Sequence, residues 1–535
     1  MKKKQQSLVT ALSIIIMILL VLLSRRFALR LDLTANKAHT LSSASRNLRG
    51  EIEEDLRITY YLSNKLLSIN PAPSEVADLL REYEARSGGK IRVTVRDPGR
   101  NAGEAERFGL LPQQLQNVEQ DEASFSVVYS GIVIEYLNKF EVLPWVFSLD
   151  TLEYDVTSRI RALVRGKRRE LGVIAAEAQK GWNDYYGYLN QALTGAGFSV
   201  LPLRPGEEIP DTLPVLFVLG GAEGLDEFAL YRIDRYIQLG GRVLFAVESV
   251  NVDFFSTWEA RLMKDRGLLA MISFYGATVG QSLVLDKVSL PMPFQDPATG
   301  QLRLIRYAPW VGALAEQGNP AHPLTSRFGG ADLFWASPLT LTLPGEGVRG
   351  EVLFSSSSGA WLMTRDFTVR PEQSYAFTAG AEETTGEKIL AAALEGRFPS
   401  WFEAVGKPRR EGTPGEGEDE LPGMLQEAGE SRIIVVGDSD MGGPLIQYTQ
   451  GQQSLNLDFL LQAADWLGND DDIVGIRNRR DGSGRLDRIQ DEVKRAGVMV
   501  FSRILNIFLL PLGIILFGLG RLLRRKYQKE GDHAL

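Results

Sequence analysis

The chain contains no cysteine, and this absence excludes several classes of protein at once. Without cysteine there is no disulfide, no thiolate nucleophile and no cysteine-ligated metal. Histidine is scarce, with only His39, His322 and His533. They are too few and too widely spaced for a multi-histidine metal site, and none stands in a recognisable triad context. Gly-x-Ser-x-Gly and P-loop patterns are absent too, so the chain carries no ATPase of its own.

The chain also lacks a basic excess. Lys and Arg number 59 against 67 Asp and Glu, which gives a formal net charge of −8 and a pI near 5.4. Nucleic-acid-binding domains carry a basic field, so the composition argues against that class of partner. With 535 residues, 44% of them hydrophobic, the chain is long enough for two or three domains.

Charge is nearly missing from one long apolar run near each end. Residues 8–24 have no charged side chain, and residues 498–519 have only Arg503. Each run is long enough to cross the ~30 Å hydrocarbon core as a helix, so we predict two transmembrane anchors. A cleavable signal peptide is the alternative for the first run, but no small-x-small cleavage site follows it.

Basic residues flank both anchors on the side of the chain termini. Three lysines precede the first anchor, and three arginines and a lysine follow the second. The positive-inside rule therefore predicts that the tails, residues 1–7 and 520–535, are cytoplasmic. The expected location is the inner (cytoplasmic) membrane of a bacterium, with the bulk of the chain in the periplasm.

Three residues of the second anchor are candidates for contact with a membrane partner. Arg503 lies near its start, where the charged head can snorkel to the interface, a commoner role than one in an ion pathway. Asn506 can hydrogen-bond to another membrane helix. Pro511 lies mid-segment, where membrane helices tolerate proline.

Residues 25–165 predict a small extracytoplasmic α/β domain. Ser42 or Ser43 can cap a short first helix. Next come a strand over residues 55–63, an amphipathic helix over 73–89 and a second strand over 90–98, and residues 125–144 then predict one hairpin. A helix over residues 151–170 ends the domain, and we interpret its charge run, residues 165–169, as a solvated face.

Residues 166–470 predict a second, doubly wound α/β domain. Short apolar strands alternate with helices over residues 170–285 and again over 430–470, the pattern of a parallel sheet with right-handed crossovers. Between them we expect an irregular insertion over residues 286–405 and a mobile acidic loop over 406–431, which is rich in Pro, Gly and Glu. Residues 471–497 form a polar stem before the second anchor.

This layout resembles the auxiliary protein of gliding-motility-associated (Gld-type) ABC transport systems, in the "ABC-type uncharacterised transport system" family. The matching stretches are DLTANKAHTLS after the first anchor, the strand–helix–strand unit ending VRDP, SRIIVVGDSD, NLDFLLQAADWL and the N-x-x-x-x-P-L of the second anchor. The resemblance implies a membrane subunit working beside a multi-span permease and a separate cytoplasmic ATPase. It also implies a thioredoxin-like first domain and an amidotransferase-like central domain.

Neither implied fold can carry its usual chemistry in this chain. Amidotransferase chemistry needs a Cys nucleophile and a His base, and thioredoxin chemistry needs Cys-x-x-Cys. The chain has no cysteine, and no histidine in residues 170–285 or 430–470. We therefore expect no glutaminase or redox reaction, no cofactor and no metal.

Five residues are expected at the carboxyl ends of the predicted parallel strands, where open α/β sheets bind ligands. They are Gly220, Gly221, Glu248, Asp438 and Asp440. One interpretation is a small pocket or cation site. The favoured alternative is that Asp438 and Asp440 form Asx turns and cap the next segment.

Aromatic residues follow the first strand of the central domain. Trp182 and Tyr185 lead this run and could stack on a sugar or a peptide. Packing against a neighbouring element is the commoner role and the favoured interpretation.

Two classes of function remain open. The leading hypothesis is a non-catalytic accessory subunit of an ABC transporter that binds substrate or partner proteins. The alternative is a membrane-tethered hydrolase of envelope glycans, with Asp438, Asp440 and Glu248 as acid and base. An envelope scaffold without a transporter differs from the first only in its partners.

Overall fold

The computed structural model describes residues 40–468 and residue 476. Its gaps are 70–71, 100–101, 120–121, 150, 167–168, 296–299, 327, 346, 379–380, 409–422, 424–427 and 450–453. The described residues belong to one compact unit. No helix among them is both long and apolar enough to cross a bilayer. Both predicted anchors, with Arg503, Asn506 and Pro511, lie outside the described residues, as do the tails, nearly all of the stem and most of the acidic loop.

The described part of the chain contains eleven α-helices. They are α1 Ser43–Glu51, α2 Asn64–Ile69, α3 Ala72–Arg86, α4 Ala102–Arg107, α5 Leu152–Arg165, α6 Gly187–Gly195, α7 Glu227–Gln238, α8 Leu268–Tyr275, α9 Ala381–Thr384, α10 Trp401–Val405 and α11 Leu455–Leu467. Short 3-10 helices occupy Ala315–Gln317, Pro371–Thr378, Asp440–Gly442 and Pro444–Tyr448.

The same part contains twenty-two strands. They are β1 Leu56–Leu62, β2 Ile91–Arg96, β3 Gln113–Glu119, β4 Glu122–Val128, β5 Ser130–Tyr136, β6 Lys139–Leu143, β7 Arg169–Ala175, β8 Phe198–Pro202, β9 Val215–Leu219, β10 Arg242–Ala246, β11 Val250–Val252, β12 Ala260–Leu262, β13 Ala277–Val279, β14 Leu283–Leu285, β15 Ser289–Gln295, β16 Leu302–Ala313, β17 Ala331–Phe334, β18 Leu339–Leu341, β19 Val348–Ser355, β20 Trp361–Met363, β21 Ile389–Gly396 and β22 Ser431–Val436.

The first sheet has four strands in the order β2-β1-β5-β6. β1 and β2 are parallel and are connected through α3, while β5 and β6 form an antiparallel hairpin beside β1. The predicted strand–helix–strand unit is confirmed, because α3 buries the predicted apolar residues Val76, Leu80 and Tyr83 in the core beside the sheet. The predicted cap is confirmed as well, since the Ser42 hydroxyl accepts from the Ser45 amide at 3.1 Å.

The expectation of a single hairpin over residues 125–144 is wrong in its first part. Residues up to Val128 belong to β4, which pairs with β3 in a separate two-stranded sheet. The break falls at Tyr129, whose backbone is bound by Ser63: the Ser63 hydroxyl accepts from the Tyr129 amide at 2.9 Å, and the Ser63 amide donates to the Tyr129 carbonyl at 3.0 Å. These two hydrogen bonds separate the β3–β4 ladder from the sheet in which β5 pairs with β1 and β6.

A nine-stranded mixed sheet forms the centre of the described residues. Its main path is β13-β18-β21-β22-β10-β9-β7-β8, with β19 paired to β21. The five strands from β22 to β8 are parallel neighbours. Their order by chain position, 2-1-3-4-5, is that of doubly wound sheets. Residues of α6 and α11 pack in one apolar cluster on this sheet, and residues of α7 and α8 pack in another.

Residues 286–405, expected to be an irregular insertion with strand-like pieces such as residues 350–363, supply strands to the central sheet. β18, β19 and β21 join the central sheet, and β21 pairs directly with β22 through Ala391↔Val436 and Ala393↔Ile434. The sequence of β21, ILAAALEG, is rich in alanine and carries little of the β-branched content that marks strands. Its burial between two neighbouring strands stabilises it as a strand, which local propensity does not predict.

The charge run at residues 165–169 is not solvated throughout. Arg165 is exposed, but the Arg169 guanidinium contacts the carboxylate of Asp465, whose side chain is fully buried. Arg169 also donates to the Tyr154 hydroxyl at 3.0 Å and lies 4.1 Å from the centre of the Phe198 ring. The solvated-face interpretation is therefore wrong for Arg169, which ties β7 to α5 and α11.

Candidate functional site

The three predicted acidic residues come together at the carboxyl edge of the central sheet. Glu248 follows β10, and Asp438 and Asp440 follow the adjacent parallel strand β22. All three are buried, with 6%, 1% and 7% of their surface exposed. Because parallel neighbours end at the same edge, their chain positions alone predict this meeting.

Lys180, which sequence reasoning missed, lies among these carboxylates. Its Nζ lies 3.0 Å from Glu248 Oε1 and 2.6 Å from Asp440 Oδ1. It also donates to the Ser439 hydroxyl at 3.0 Å, and the Tyr185 hydroxyl donates to Asp440 Oδ1 at 2.7 Å. We call Lys180, Tyr185, Glu248, Ser439 and Asp440 the Lys180 cluster. Within this cluster the carboxylates of Glu248 and Asp440 neutralise the positive charge of Lys180.

Ser439 and Lys180 have the spacing of a Ser–Lys dyad but not its electrostatics. In such a dyad a neutral lysine takes the proton of the serine. Here the Ser439 hydroxyl donates to Glu248 Oε1 at 2.8 Å, its amide donates to Glu248 Oε2 at 2.8 Å, and the serine is fully buried. Lys180 is held in its charged form, so the arrangement orders the turn after β22 and does not activate a nucleophile.

The pKa values within the Lys180 cluster follow from burial and from charge pairing. Burial favours the neutral form of Lys180, but the carboxylates of Asp440 and Glu248 outweigh it and hold its pKa well above the ordinary value. Burial raises the pKa of Glu248, although Lys180 opposes the rise. Burial and the neighbouring Asp440 charge raise the pKa of Asp438 well above its usual range. Burial, followed by Asp440, raises the pKa of Tyr185.

Asp438 has a different role from Asp440. Its Oδ1 accepts from the Asp440 amide at 2.7 Å, which is the Asx-type turn of the favoured alternative. Its Oδ2 accepts from the Phe334 amide at 2.7 Å, which fastens the turn to β17. Both carboxylate oxygens thus serve the protein backbone.

Gly220 and Gly221 contact the loop that follows β7. Both have positive φ values, 70° and 115°, which favour glycine. The Gly221 amide donates to Glu177 Oε1 at 2.8 Å, and a Cβ on Gly220 would lie 2.7 Å from Glu177 Cγ. These glycines therefore seat Glu177, which belongs to the same loop after β7 as Lys180.

The two candidate aromatic residues have different surroundings: Trp182 is buried in the core and Tyr185 is half-buried. Trp182 is 8% exposed and packs near Tyr186 with ring centres 6.3 Å apart, in the apolar cluster beneath α6. Packing, not ligand stacking, is what its surroundings show. Tyr185 is half-buried and meets Phe255, which is 63% exposed, edge-on at 6.5 Å.

One signal in the sequence points to Lys180. It follows β7, a strand that runs parallel to β9 and so ends at the same edge as β10 and β22. A lysine in a loop is ordinarily exposed, and this hides its role. Among the described residues, no group of three or more acidic or histidine side chains has the geometry to hold a metal ion.

The fold and the site define a mixed α/β protein in which ion pairs fill the carboxyl edge of the central sheet, the edge at which open α/β sheets bind ligands. Residues 168–463, more than half of the chain, match the model of the family described as "ABC-type uncharacterized transport system", and the chain belongs to that family. The match supports an auxiliary role in an ABC transport system. Residues 35–135 match a second model, which describes a domain of unknown function.

One relative matches this chain along most of its length. An uncharacterised protein of Borreliella burgdorferi is 24% identical over 508 residues, which cover 93% of each chain. Among solved structures, the N-terminal domain of mmIFT52 aligns with 51% of this chain and 90% of its own at 11% identity and a TM-score of 0.28. A ThuA-like protein from Parabacteroides merdae aligns with 57% and 91% at 13% identity and a TM-score of 0.27.

Proposed function

We propose that this protein is a non-catalytic, membrane-anchored accessory subunit of an ABC transporter that works with a separate permease and ATPase. Residues 8–24 and 498–519 would anchor it, with both tails in the cytoplasm and the bulk of the chain in the periplasm. Membership of the ABC transport family supports the general role. The apolar runs and the basic residues at their outer ends support the anchoring and the orientation.

The observation that carries the non-catalytic part of the proposal is the saturation of the Lys180 cluster. Lys180 contacts Glu248, Asp440 and Ser439, and Ser439 in turn donates twice to Glu248. Side chains that already hold one another are costly to redirect to a substrate, because a buried charge that loses its partner is strongly destabilising. Many doubly wound proteins bind ligands at this edge of the sheet. In this protein the ion pairs at the edge would instead join the segments that follow β7, β10 and β22.

We further propose that the two sheets are scaffolds of known kinds. The parallel β1–α3–β2 unit beside an antiparallel hairpin suits a thioredoxin-like domain, and the 2-1-3-4-5 order of the central sheet suits an amidotransferase-like one. Neither would keep its chemistry in a chain without cysteine. In this proposal the rigid domains bind substrate or partner proteins and follow movements of the permease helices.

Copurification tests the proposal. The full chain, tagged at its C-terminus and extracted in mild detergent, should bring down one multi-span permease and one ABC ATPase. Replacing the membrane residue Asn506 by Leu should reduce their recovery, whereas Ser502→Ala in the same segment should not. Recovery of the chain without either subunit would refute the proposal, and recovery with other envelope proteins would favour a scaffold. The Gld-type assignment is tested separately, by scoring gliding of a deletion strain.

One observation allows the alternative of a glycan hydrolase. Glu248 and Asp440 contact Lys180 Nζ at 3.0 and 2.6 Å, so these two oxygens lie no farther apart than the sum of the two distances, a limit that includes the ~5–5.5 Å carboxylate spacing of retaining glycosidases. Lys180, however, lies between them, where a sugar would have to bind. The hydrolase predicts that Asp438→Asn abolishes release of sugars from envelope glycan while the protein stays folded, and our proposal predicts no hydrolysis by either form.

A further inference from the structure

A cavity of about 360 Å³ lies at the carboxyl edge of the central sheet, at the end of β19. The strand register gives its place, because Ala391 of β21 pairs with Val436 of β22 on one side and with Phe354 of β19 on the other. β19 and β22 both run antiparallel to β21, so both end at the same edge of the sheet. This is the edge at which open α/β sheets bind ligands. The Lys180 cluster fills it after β10 and β22, whereas a cavity adjoins it after β19.

The first wall of the cavity is the turn that contains the Ala315–Gln317 3-10 helix. The Asn319 backbone amide donates to the Leu353 carbonyl at 2.8 Å, and the Asn319 side-chain amide donates to the Val352 carbonyl at 3.0 Å. These two hydrogen bonds fasten the turn to β19 and bring Glu316 to the cavity.

The second wall is the segment that leads into β21. The Ser356 amide donates to the Lys388 carbonyl at 2.8 Å, and the Lys388 amide donates to the Ser356 hydroxyl at 2.8 Å. This pairing brings Glu387 to the same cavity. Glu316 and Glu387 are exposed, and neither forms an ion pair with another described residue. No lysine or arginine is among the described residues of the lining, so the lining carries a negative charge.

Ser355 is a buried polar group that lines this cavity. It is only 2% exposed. No described residue forms a hydrogen bond with its hydroxyl, although buried polar groups are ordinarily paired. A molecule in the cavity can therefore both donate to this hydroxyl and accept from it.

The polar groups that remain around the cavity define the chemistry of its ligand. The two carboxylates favour a positively charged donor. Gln317 Oε1 already accepts from the Leu314 amide, which leaves the Gln317 NH₂ group to donate to a ligand oxygen. Val352 is the one apolar side chain among the described residues of the lining, so an apolar ligand does not fit. These groups match an ammonium on a molecule that also carries hydroxyls.

Two further observations narrow the ligand class. No group of three or more acidic or histidine side chains among the described residues could hold a metal ion, which leaves an organic cation. The cavity volume of about 360 Å³ lies near the lower end of the ~300–1,000 Å³ that is usual for small-molecule sites. The size therefore suits one sugar unit.

We propose that this cavity binds an amino sugar with a free amine. The ammonium is held by the carboxylates of Glu316 and Glu387, and the sugar hydroxyls bond to the Ser355 hydroxyl and to the Gln317 NH₂ group. This inference goes beyond the proposed function and does not depend on it, since the binding is measured on the chain without permease or ATPase.

Isothermal titration calorimetry on the full chain in detergent tests the proposal, with glucosamine as the probe. Glucose lacks the amine, N-acetylglucosamine has it acylated and neutral, and cyclohexylamine lacks the hydroxyls. Glucosamine should bind at least about tenfold more tightly than glucose or N-acetylglucosamine, because a hydrogen bond to a charged group contributes at least the about 1.4 kcal/mol that corresponds to tenfold. It should also bind more tightly than cyclohexylamine. No binding of glucosamine, or equal binding of all four compounds, overturns the proposal.

Charge variants show whether the amine binds in this cavity. Glu316→Gln and Glu387→Gln each remove one charge and keep the side-chain shape. Each should weaken glucosamine at least about tenfold and bring its affinity close to that of glucose. Glu351→Gln, at an exposed glutamate of β19 outside the lining, is the matched control and should leave affinity unchanged. Unaltered affinity in both cavity variants, or an equal loss in Glu351→Gln, overturns the proposal.

Ser355→Ala separates binding from folding. The substitution should weaken glucosamine at least threefold without lowering the urea midpoint, because the hydroxyl has no hydrogen bond to a described residue to lose. A lower urea midpoint with unchanged affinity would show that Ser355 serves the fold, and this result would overturn its place in the binding site.

Discussion

Lys180 and Asp440 form an ion pair of 2.6 Å at the carboxyl edge of the central sheet, with side chains only 15% and 10% exposed. The pair joins the loop after β7 to the turn after β22, two segments far apart in the chain. Glu248, at the end of the strand between them in the fold, shares the same ammonium. Each of the three charges therefore stabilises the burial of the others, because removing one leaves a buried charge without a partner.

Replacing Lys180 by Met should destabilise the protein by about 3–5 kcal/mol, because two buried carboxylates lose their counter-charge. Urea unfolding of the full chain in detergent, followed by tryptophan fluorescence, measures the change. Lys264→Met is the matched control, since Lys264 is exposed, and a change within about 0.5 kcal/mol is expected there. Adding Glu248→Gln and Asp440→Asn to Lys180→Met should recover much of the lost stability, because no buried carboxylate is then left without a counter-charge. A loss below about 1 kcal/mol for Lys180→Met alone would contradict a stabilising role of these ion pairs.

Replacing Arg169 by Lys should cost about 2 kcal/mol although the charge is kept, since a hydrogen bond to a charged group contributes about 1.5–3 kcal/mol. The planar guanidinium reaches Asp465, the Tyr154 hydroxyl and the Ala196 carbonyl together, and an ammonium on a flexible stem cannot match that geometry. Thermal unfolding compares Arg169→Lys with Arg81→Lys, since Arg81 is an exposed partner of Asp78. Equal melting temperatures of the two variants would show that Arg169 acts only as a charge.

The sequence predicts the meeting of Glu248, Asp438 and Asp440 for a simple reason. Each follows a strand of a parallel sheet, and the carboxyl ends of such strands share one edge. Lys180 also follows a strand of this sheet, but its position alone does not predict a buried site because a lysine in a loop is rarely buried. Its burial depends on two carboxylates from other segments, which is tertiary information.

The secondary structure also contains elements that the sequence predicts and elements that it does not. The helix α3 follows from its apolar spacing, and buries the residues that the spacing selects. β21 does not follow, because an alanine-rich run of eight residues fits a buried strand and a helix equally well by periodicity. Only its pairing with β22 and β19 decides between them.

The stability contributed by Asp332 should fall as the pH rises. Burial raises the pKa of this carboxyl from 3.8 to about 6 in the folded state. The folded protein thus holds the proton more tightly than the unfolded chain, and stability is lost between roughly pH 4 and pH 6 as the carboxyl ionises. At pH 7 the loss amounts to about 3 kcal/mol, which is the free-energy equivalent of this shift.

Asp332→Asn removes this ionisation. Urea midpoints at pH 4.5 and pH 7 should show the variant gaining stability over the natural chain as the pH rises. Asp78→Asn, at an exposed carboxyl, is the control and should show no such gain. A constant difference between Asp332→Asn and the natural chain across this range would mean that Asp332 titrates at its ordinary pKa.

Gly437 sets the position of the turn that carries Asp438, Ser439 and Asp440. A Cβ on Gly437 would lie 2.0 Å from the carbonyl oxygen of Ser337, and the backbones are bonded there, with the Ser337 amide donating to the Gly437 carbonyl at 2.8 Å. Gly437→Ala therefore forces two backbones apart and should destabilise the protein by about 1–3 kcal/mol, the usual cost of overpacking. The displaced turn should also draw Asp440 away from Lys180.

Gly187→Ala is the matched control, because Gly187 begins α6 and a methyl group added there would have no atom within 4 Å. There alanine should be neutral or stabilise by up to about 1 kcal/mol, since it restricts the unfolded chain. The two effects separate in a double variant, where Gly437→Ala combined with Lys180→Met should cost less than the sum of the single changes, because the first already weakens the ion pair that the second removes. Strict additivity would show that the turn can shift without disturbing the Lys180 cluster.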